Sequence, residues 1–383
     1  MNISRFTHSK TGRLVPVQLT NGESDWAFVP EDLPTGWELP HDLWPLLSEA
    51  KMELGRLDGI GRTLPDPELL LKPLQDREAM RSSSLEGTYA TPQELFLFEM
   101  SPREPRSETD PANSWLEVSN YGKALREGMR LLEDLPFCLR LIRDMHRTLL
   151  SGVRGRERSP GEFRPTQVQI GSDRRFMPPP PTEMSACLSS LEEYMNADGY
   201  RLDPLVVCFV IHYQFETIHP FKDGNGRVGR VLLALMIHKL CGLQRPWLYM
   251  SAYFEKFKDE YIDSLFEVST EGNWRNWIEF CLRGTIEQSK DSIRRCDLLG
   301  LEREKFHRLC QQSGARAYQI VDSLFVSPFL TIPEVSHRFS ITYPTAKADI
   351  VKLEKLGILA PLPDTRPAMY YCPTVFRIAY MEA

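Results

Sequence analysis

His219, Asp223, Arg227 and Arg230 all fall in one short stretch, His-Pro-Phe-Lys-Asp-Gly-Asn-Gly-Arg-Val-Gly-Arg. With the Gly224-Asn225-Gly226 turn between them, they supply most of what a phosphate-transfer site requires. An imidazole titrates near neutrality and can take a proton from an attacking hydroxyl. A carboxylate offers a hard oxygen to magnesium, which on phosphates is usually held by one or two carboxylates plus water and phosphate oxygens. Glycines let the backbone bend tightly and come close to a ligand. The turn runs into an apolar helical stretch, Arg227 to Leu240, and amides at a helix N-terminus make an anion site. Arg227 and Arg230 are three apart, so they share a face of the first turn. Each can fork onto phosphate oxygens. Any one piece alone reads equally well as a capped helix with surface charges; all of them in this order do not.

This stretch resembles the Fic (filamentation-induced-by-cAMP) motif, His-Pro-Phe-x-Asp/Glu-Gly-Asn-Gly-Arg-x-x-Arg, at every fixed position. The resemblance implies transfer of AMP from ATP to a Ser, Thr or Tyr hydroxyl of a target protein, or of the chain itself, with release of pyrophosphate. It implies His219 as general base, Asp223 as magnesium ligand, Gly224, Asn225 and Gly226 as anion hole, and Arg227 as phosphate clamp. Arg230 would receive the γ-phosphate, and Val228 and Gly229 are counted with the nucleotide site. In the related Doc branch a Lys replaces the second motif glycine and the activity is that of a kinase. Gly226 therefore favours nucleotidyl transfer.

Upstream, Ser82 and Glu86 are four apart, neighbours on one face of a short helix that Gly87 could end. A capped helix with a solvated Glu is the plain reading. Ser82–Gly87 is also similar to the family's inhibitory pattern, Ser/Thr-x-x-x-Glu-Gly/Asn. That implies Glu86 pairs with Arg230 and occupies γ-phosphate space, a brake placed before the catalytic core. Carboxylate and phosphate are both bidentate acceptors, so their competition for one arginine is physically reasonable.

In Phe163–Gly171, Val168 and Ile170 alternate with polar residues, a short strand pattern. The Pro178–Pro181 run cannot extend a central strand. The segment reads as a loop hairpin or as a strand edge that pairs with an extended target. The matching family segment is a flap, which implies that Val168, Gln169, Ile170 and Gly171 line the nucleotide and target cleft. The resemblance places the adenine pocket near Tyr253–Ser269. Many relatives have a Tyr-Tyr pair and a later Asn there; this chain has Tyr261-Ile262 and Ser269. Tyr261 remains to stack on a base, and base specificity stays open.

These groups must be positioned by a chain of 383 residues, a length that suggests two or three domains. Apolar content of 42%, charged content of 26% and a net charge of −6 are ordinary for a soluble globular protein. They carry no global nucleic-acid or membrane signature. Apolar runs such as Leu205–Ile211 are too short to span a bilayer, and the N-terminus has no apolar signal core. The eight cysteines form no C-x-x-C pair, so a zinc site or disulfide framework is not indicated and a reducing cytoplasm fits best.

Short extended pieces should open the chain, followed by an amphipathic run at His41–Leu57. Polar Ser101–Asn113 reads as a boundary loop. Helices are expected over Trp115–Leu150, Leu205–Ile218, Met250–Leu265 and Trp274–Gln288, with Asp203-Pro204 as a capped start. His212 and Glu216, four apart, read as a buried structural pair rather than a metal pair.

Residues 318–327 are helical in pattern. Thr331 caps a second helix, and a third runs Tyr343–Leu356 to a stop at Gly357. Ala368–Ile378 is rich in strand-forming residues. This order suggests a winged helix. From Arg316 onward seven basic residues stand against six acidic ones, weak for a DNA footprint, so dimerisation or protein contact is favoured over DNA.

The expected architecture is mainly α: a Fic helical core with a small β-hairpin flap and a C-terminal winged helix. The expected divisions are 1–113, an N-terminal region with the inhibitory helix, 114–297, the core, and 298–383, the winged helix. Alternatives are removal of AMP from a modified protein by the same site, a different nucleotide or phosphocholine donor, and a DNA-bound regulator with a quiet core. Family habit suggests a homodimer.

Overall fold

The computed structural model describes residues 1–19, 22–33, 38–63, 67–153, 159–171, 174–363, 365 and 368–381. An antiparallel hairpin comes first, β1 (Gly12–Gln18) with β2 (Ser24–Pro30), in register from Gly12 opposite Pro30 to Gln18 opposite Ser24. Helices follow: α1 (Trp44–Thr63), α2 (Glu68–Leu85), α3 (Pro92–Met100), α4 (Ala112–Leu131), α5 (Leu139–Leu149) and α6 (Pro181–Met195). The central pair is α7 (Pro204–Ile218) and α8 (Asn225–Leu240). Then come α9 (Ser251–Lys256), α10 (Lys258–Glu271) and the long α11 (Trp274–Leu309).

Helix α7 is apolar all round, and a helix with no polar face belongs inside. Every residue from Leu205 to Phe215 is buried. The Asp203 side chain accepts from the Leu205 amide at 3.0 Å and Pro204 takes the first position, as expected of a capped start. At the other end His219 turns left-handed, with φ 50° and ψ 61°, and Pro220 keeps the helix from resuming. Helix α8 begins one short loop later and is buried from Asn225 to Ile237. The two helices thus form a spike through the core, with the His219–Gly224 loop at its tip.

The C-terminal part is α12 (Ala315–Val326), β3 (Phe329–Thr331), α13 (Ile332–Arg338), α14 (Tyr343–Lys355), β4 (Ala360–Leu362), β5 (Met369–Tyr371) and α15 (Pro373–Tyr380). Its antiparallel sheet has the order β3-β5-β4. Thr331 caps α13 by accepting from the Glu334 amide at 3.2 Å, and Gly357 follows α14 with φ 71°.

One apolar core runs from Val29 to Ile293 without a break at residue 113, and a second runs from Cys296 to Val375. Helix α11 belongs to both and passes straight through the division expected at residue 297. The polar loop before α4 is tied down. Arg103 forks onto Asp110 at 2.6 and 2.8 Å, and the Asn113 amide donates to the carbonyls of Ser107, Glu108 and Asp110.

Four local expectations need correction. Trp115–Leu150 holds two helices, because Pro136 bars its predecessor from helix. Met250–Leu265 is broken at Phe257 (φ −117°, ψ 45°), whose ring packs on Tyr253 at 4.8 Å. Ala368–Ile378 contributes only β5 before turning into α15. Pro373 starts that helix, and burial of Val375 and Ala379, four apart, outweighs strand propensity. The Ser82–Gly87 segment ends a helix of 18 residues rather than a short one.

Trp277 is fully buried between α7 and α10 and donates its indole N–H to the Phe209 carbonyl at 3.0 Å. Trp277→Ala is expected to cost about 3–5 kcal/mol, the usual range for emptying a large aromatic site. Urea unfolding measures this, and a loss below about 1 kcal/mol would mean the spike does not rely on that wall.

Candidate active site

The motif loop is closed by its own asparagine. Asn225 Oδ1 accepts from the Phe221 amide at 2.8 Å, and Nδ2 donates to the Phe221 carbonyl at 2.9 Å. Gly224 takes the left-handed conformation, φ 76°, that reverses the chain into α8. The first helical bond of this end is Val228 N–H to Gly224 O at 3.0 Å. The amides of Asn225, Gly226 and Arg227 therefore precede the helix ladder and make its positive end.

His146 braces the loop from outside. Its ring lies flat on Phe221, centroids 3.7 Å apart and 5° from parallel. Nδ1 accepts the Gly161 amide at 2.8 Å, so Nε2 carries the proton and donates to the Asp223 carbonyl at 3.0 Å. Burial pushes this imidazole down to about 4, which keeps it neutral and suited to that pair of bonds.

His219 faces a cavity of about 240 Å³. Its Nδ1 lies 3.3 Å from the Glu216 carbonyl, which can only accept. The proton therefore sits on Nδ1 and the lone pair on Nε2. Burial, then the nearby Arg164 guanidinium, push its pKa down to about 4, so the ring is a neutral base at neutral pH. A non-glycine residue in this left-handed conformation costs of order 1–3 kcal/mol and persists only when its surroundings fix it.

Across the cavity stands Arg230, with its side chain 3% exposed. Nε donates to Ser82 Oγ at 2.8 Å, and Nη2 donates to the Ser82 carbonyl and to Glu86 Oε1, each at 2.8 Å. All of these acceptors come from the last turn of α2 and its cap. The Lys258 ammonium holds that end too, donating to the Leu85 carbonyl at 2.7 Å. Burial is the largest influence on Glu86 and raises its pKa, but the charge and hydrogen bond of Arg230, with Arg227 and His219, together outweigh it, so the carboxyl sits below its ordinary value and is ionised. Gly87, φ 80°, ends the segment.

Gly226 has no room for a side chain. A Cβ there would lie 2.2 Å from Glu86 Oε1 and 2.8 Å from Arg230 Nη1. Arg227 points away from the cavity, paired with Glu117 at 3.2 Å and 3.8 Å from Asp223. Thr88 donates to the same Glu117 oxygen at 2.8 Å.

Ile170 and Gly171 line the cavity; Val168 and Gln169 do not. Among the described residues of this segment, Ile170 forms an antiparallel bridge with Phe176. Phe176 anchors it among Phe6, Phe28 and Phe266. The far wall holds Tyr261, Ile262 and Ser269. One face of Tyr261 is taken by Phe254, with centroids 4.4 Å apart.

Besides Val168, Gln169 and the Arg227 side chain, two further expectations do not hold. Val228 and Gly229 sit in the core between α7 and α8, where a Cβ on Gly229 would meet Glu216 Oε1 at 2.2 Å. His212 pairs not with Glu216 but with Tyr261 Oη at 2.9 Å and the Gly229 carbonyl at 3.2 Å. Glu216 Oε1 is buried without a hydrogen-bond partner, and burial pushes that carboxyl up to about 7.

Sequence reasoning missed His146, Glu117, Thr88, Lys258 and Arg164, all distant in sequence from the groups they hold. A Gly-x-Phe-Arg run ahead of the flap (Gly161–Arg164) and a buried-helix Glu117 offered no chemical signature of their own.

With this geometry in place, comparison with known proteins defines the class. Residues 44–130 match the Fic/DOC family N-terminal description and residues 136–237 the Fic/DOC family itself. Over those residues the chain carries the Fic/DOC family's N-terminal region and Fic domain. It is similar to "Protein adenylyltransferase Fic" of Culex quinquefasciatus, 32% identical over 148 residues, covering 38% of this chain and 27% of that protein. The chain thus spans about a quarter of the length of that relative. Its fold is that of a Fic family protein from Desulfovibrio desulfuricans (TM-score 0.55, 18% identity, 88% of this chain and 98% of that one). Fic-1 from C. elegans is similar as well (TM-score 0.53, 20% identity, 65% of this chain and 72% of that one).

Asn225→Ala is expected to cost about 1–3 kcal/mol, since it leaves the Phe221 amide and carbonyl unpaired. It should also speed amide exchange at Phe221. Unchanged exchange there would show that the loop is held by His146 alone.

Proposed function

We propose that this protein transfers AMP from ATP to a hydroxyl side chain of a target protein, and that Glu86 restrains the transfer. The observation that carries this reading is one cavity holding a neutral His219, the positive end of α8, and Arg230 occupied by a carboxylate from α2. His219 Nε2 takes the proton as the target oxygen attacks the α-phosphorus. The bond to the bridging oxygen breaks, and pyrophosphate leaves with its electrons. The amides of Asn225, Gly226 and Arg227 stabilise charge on the phosphate oxygens as it develops, the term that usually dominates such chemistry.

Arg230 is the γ-phosphate's partner in this scheme, and Glu86 stands where that phosphate would go. The Glu86 side chain lines the cavity and is 40% exposed, whereas its partner is shut away. A ligand can reach the carboxylate's place without opening the core.

Magnesium fits the residues present. Asp223 offers a carboxylate, 32% exposed, at the loop mouth, and among the described residues no group of three or more His, Cys, Asp or Glu could hold a metal alone. That is the donor set of a magnesium carried chiefly by phosphates and water. Asp223 would hold it, and when bound it would add charge stabilisation on the phosphate oxygens. Among the described residues no helix is long and apolar enough to cross a membrane. The C-terminal helices and sheet support a winged-helix reading. On α14 Tyr343, Lys347, Lys352, Glu354 and Lys355 are all exposed.

With ATP labelled at the α-phosphate, Glu86→Gly should transfer label to protein at least about tenfold faster than wild type, a barrier change of ~1.4 kcal/mol. Adding His219→Ala should cut that rate by roughly 10²–10⁴, the usual worth of a general base. Label that moves only from the γ-position would make the enzyme a kinase and reject this reading.

The pH profile gives a separate check. The folded pKa of His219 is depressed, so the base is available above about 4 and lost below it. The Glu86→Gly rate should show no acid inflection near ~6.5, the free imidazole value. An inflection there would place the imidazole in water and not in the closed cavity.

A further inference from the structure

Arg164 is 1% exposed, yet every acceptor around its guanidinium is a main-chain carbonyl. Nε donates to His219 O at 2.8 Å, Nη1 to Thr166 O at 3.1 Å, and Nη2 to Pro179 O at 2.5 Å and Ile218 O at 3.4 Å. Its own amide donates to Pro220 O at 2.9 Å. Among the described residues it has no carboxylate partner. A buried cation without a counter-ion needs another source of negative potential. The C-terminal end of α7 supplies it: the Ile218 carbonyl belongs to that end and the His219 carbonyl caps it.

Three segments meet on this one side chain. The His219 turn is the first, the base of the flap at Thr166 the second, and Pro179, just ahead of α6, the third. His219 needs such support because its conformation is left-handed and, among the described residues, its ring has a single hydrogen bond, the 3.3 Å contact to the Glu216 carbonyl. Ring and carbonyl are both carried by the same Cα, so holding the carbonyl plane helps fix the Cα–Cβ bond from which the ring extends.

We propose that Arg164 is the positioning residue for His219, locking the left-handed turn that aims Nε2 into the cavity and joining that turn to the flap as one rigid piece. The inference rests on His219 acting as the base. A lysine cannot do the same work, since a point ammonium lacks the planar fork that reaches carbonyls of three segments at once. It would keep the positive charge beside the imidazole, which a glutamine would remove. That charge is one of the causes of the low His219 pKa, after burial.

The test uses the full chain carrying Glu86→Gly, alone and with Arg164→Lys or Arg164→Gln. AMP transfer from ATP, thermal unfolding and the titration of His219 by NMR of its ring Cε1–H are followed together. Of the eight histidines in the chain, the His219 signal is assigned by its loss in His219→Ala. Arg164→Lys should lower kcat about 10²-fold, the cost of a small misplacement, with KM for ATP unchanged and the His219 titration near its original place. Arg164→Gln should lower kcat as far and also move the His219 titration up toward neutrality.

Arg164→Lys with unimpaired kcat overturns the proposal. So does a fall in kcat that tracks a fall in melting temperature while the His219 shift and titration stay the same in both variants. If Glu86→Gly itself transfers no AMP, the activity reading fails. The His219 spectra then decide Arg164 alone: a ring signal displaced in Arg164→Lys supports positioning, and an undisturbed one refutes it.

Discussion

The Arg230 guanidinium is buried, and a buried cation that lacks partners costs several kcal/mol. Its acceptors come from α2, more than a hundred residues earlier in the chain. This one requirement fixes much of the molecule. The last turn of α2 must lie against the first turn of α8, so the cavity is roofed by Leu85 and Glu86 as well as by the flap. The rest of α2 then has to be covered. Glu78 accepts from Ser251 and Tyr121, Arg77 pairs with Asp291 at 2.7 Å, and Tyr380 donates to Asp76 at 3.1 Å. The helix that supplies the carboxylate is thereby held by α4, α9, α11 and the C-terminal unit together.

The same enclosure sets the character of the base. Desolvation disfavours the charged imidazole, and a guanidinium behind it does so again. The Glu86 and Asp223 carboxylates pull the other way but do not reverse this. Glu86 is itself paired with Arg230, and burial pushes the Glu216 carboxyl up to about 7. A ring held neutral with Nδ1 toward a carbonyl has one free lone pair and one direction in which to use it.

The chemistry was legible in the sequence because it is contiguous. A loop, a helix start and two arginines within one helical turn need no knowledge of the fold, and a resemblance carried by twelve residues gave each a role. Ser82 and Glu86 were legible for a similar reason, since a four-residue spacing puts both on one helix face. What holds these groups was not legible. Glu117 lies 110 residues from Arg227, and Arg164 lies 55 residues from His219. No local pattern distinguishes them from other charged residues. The break at Phe257 and helix α15 were missed on the same physical ground: tertiary burial decided the backbone against propensity. Val228 and Gly229 were placed in the site because they lie between its arginines, but residues one and two apart on a helix do not share a face.

The exchange proposed for this site would be governed by what Arg230 keeps when the carboxylate goes. Removing one member of a buried ion pair usually costs about 3–5 kcal/mol, because the other is left charged and alone. Arg230 would not be alone, for Ser82 still offers its hydroxyl and its carbonyl at 2.8 Å each. The negative end of α2 faces it as well. The carboxylate is thus the replaceable member of an acceptor set whose other members are built into the helix. A phosphate entering from the cavity side exchanges one anion for another on an arginine that never has to leave its place. The carboxylate can act as an occupant of the site without also being a keystone of the fold.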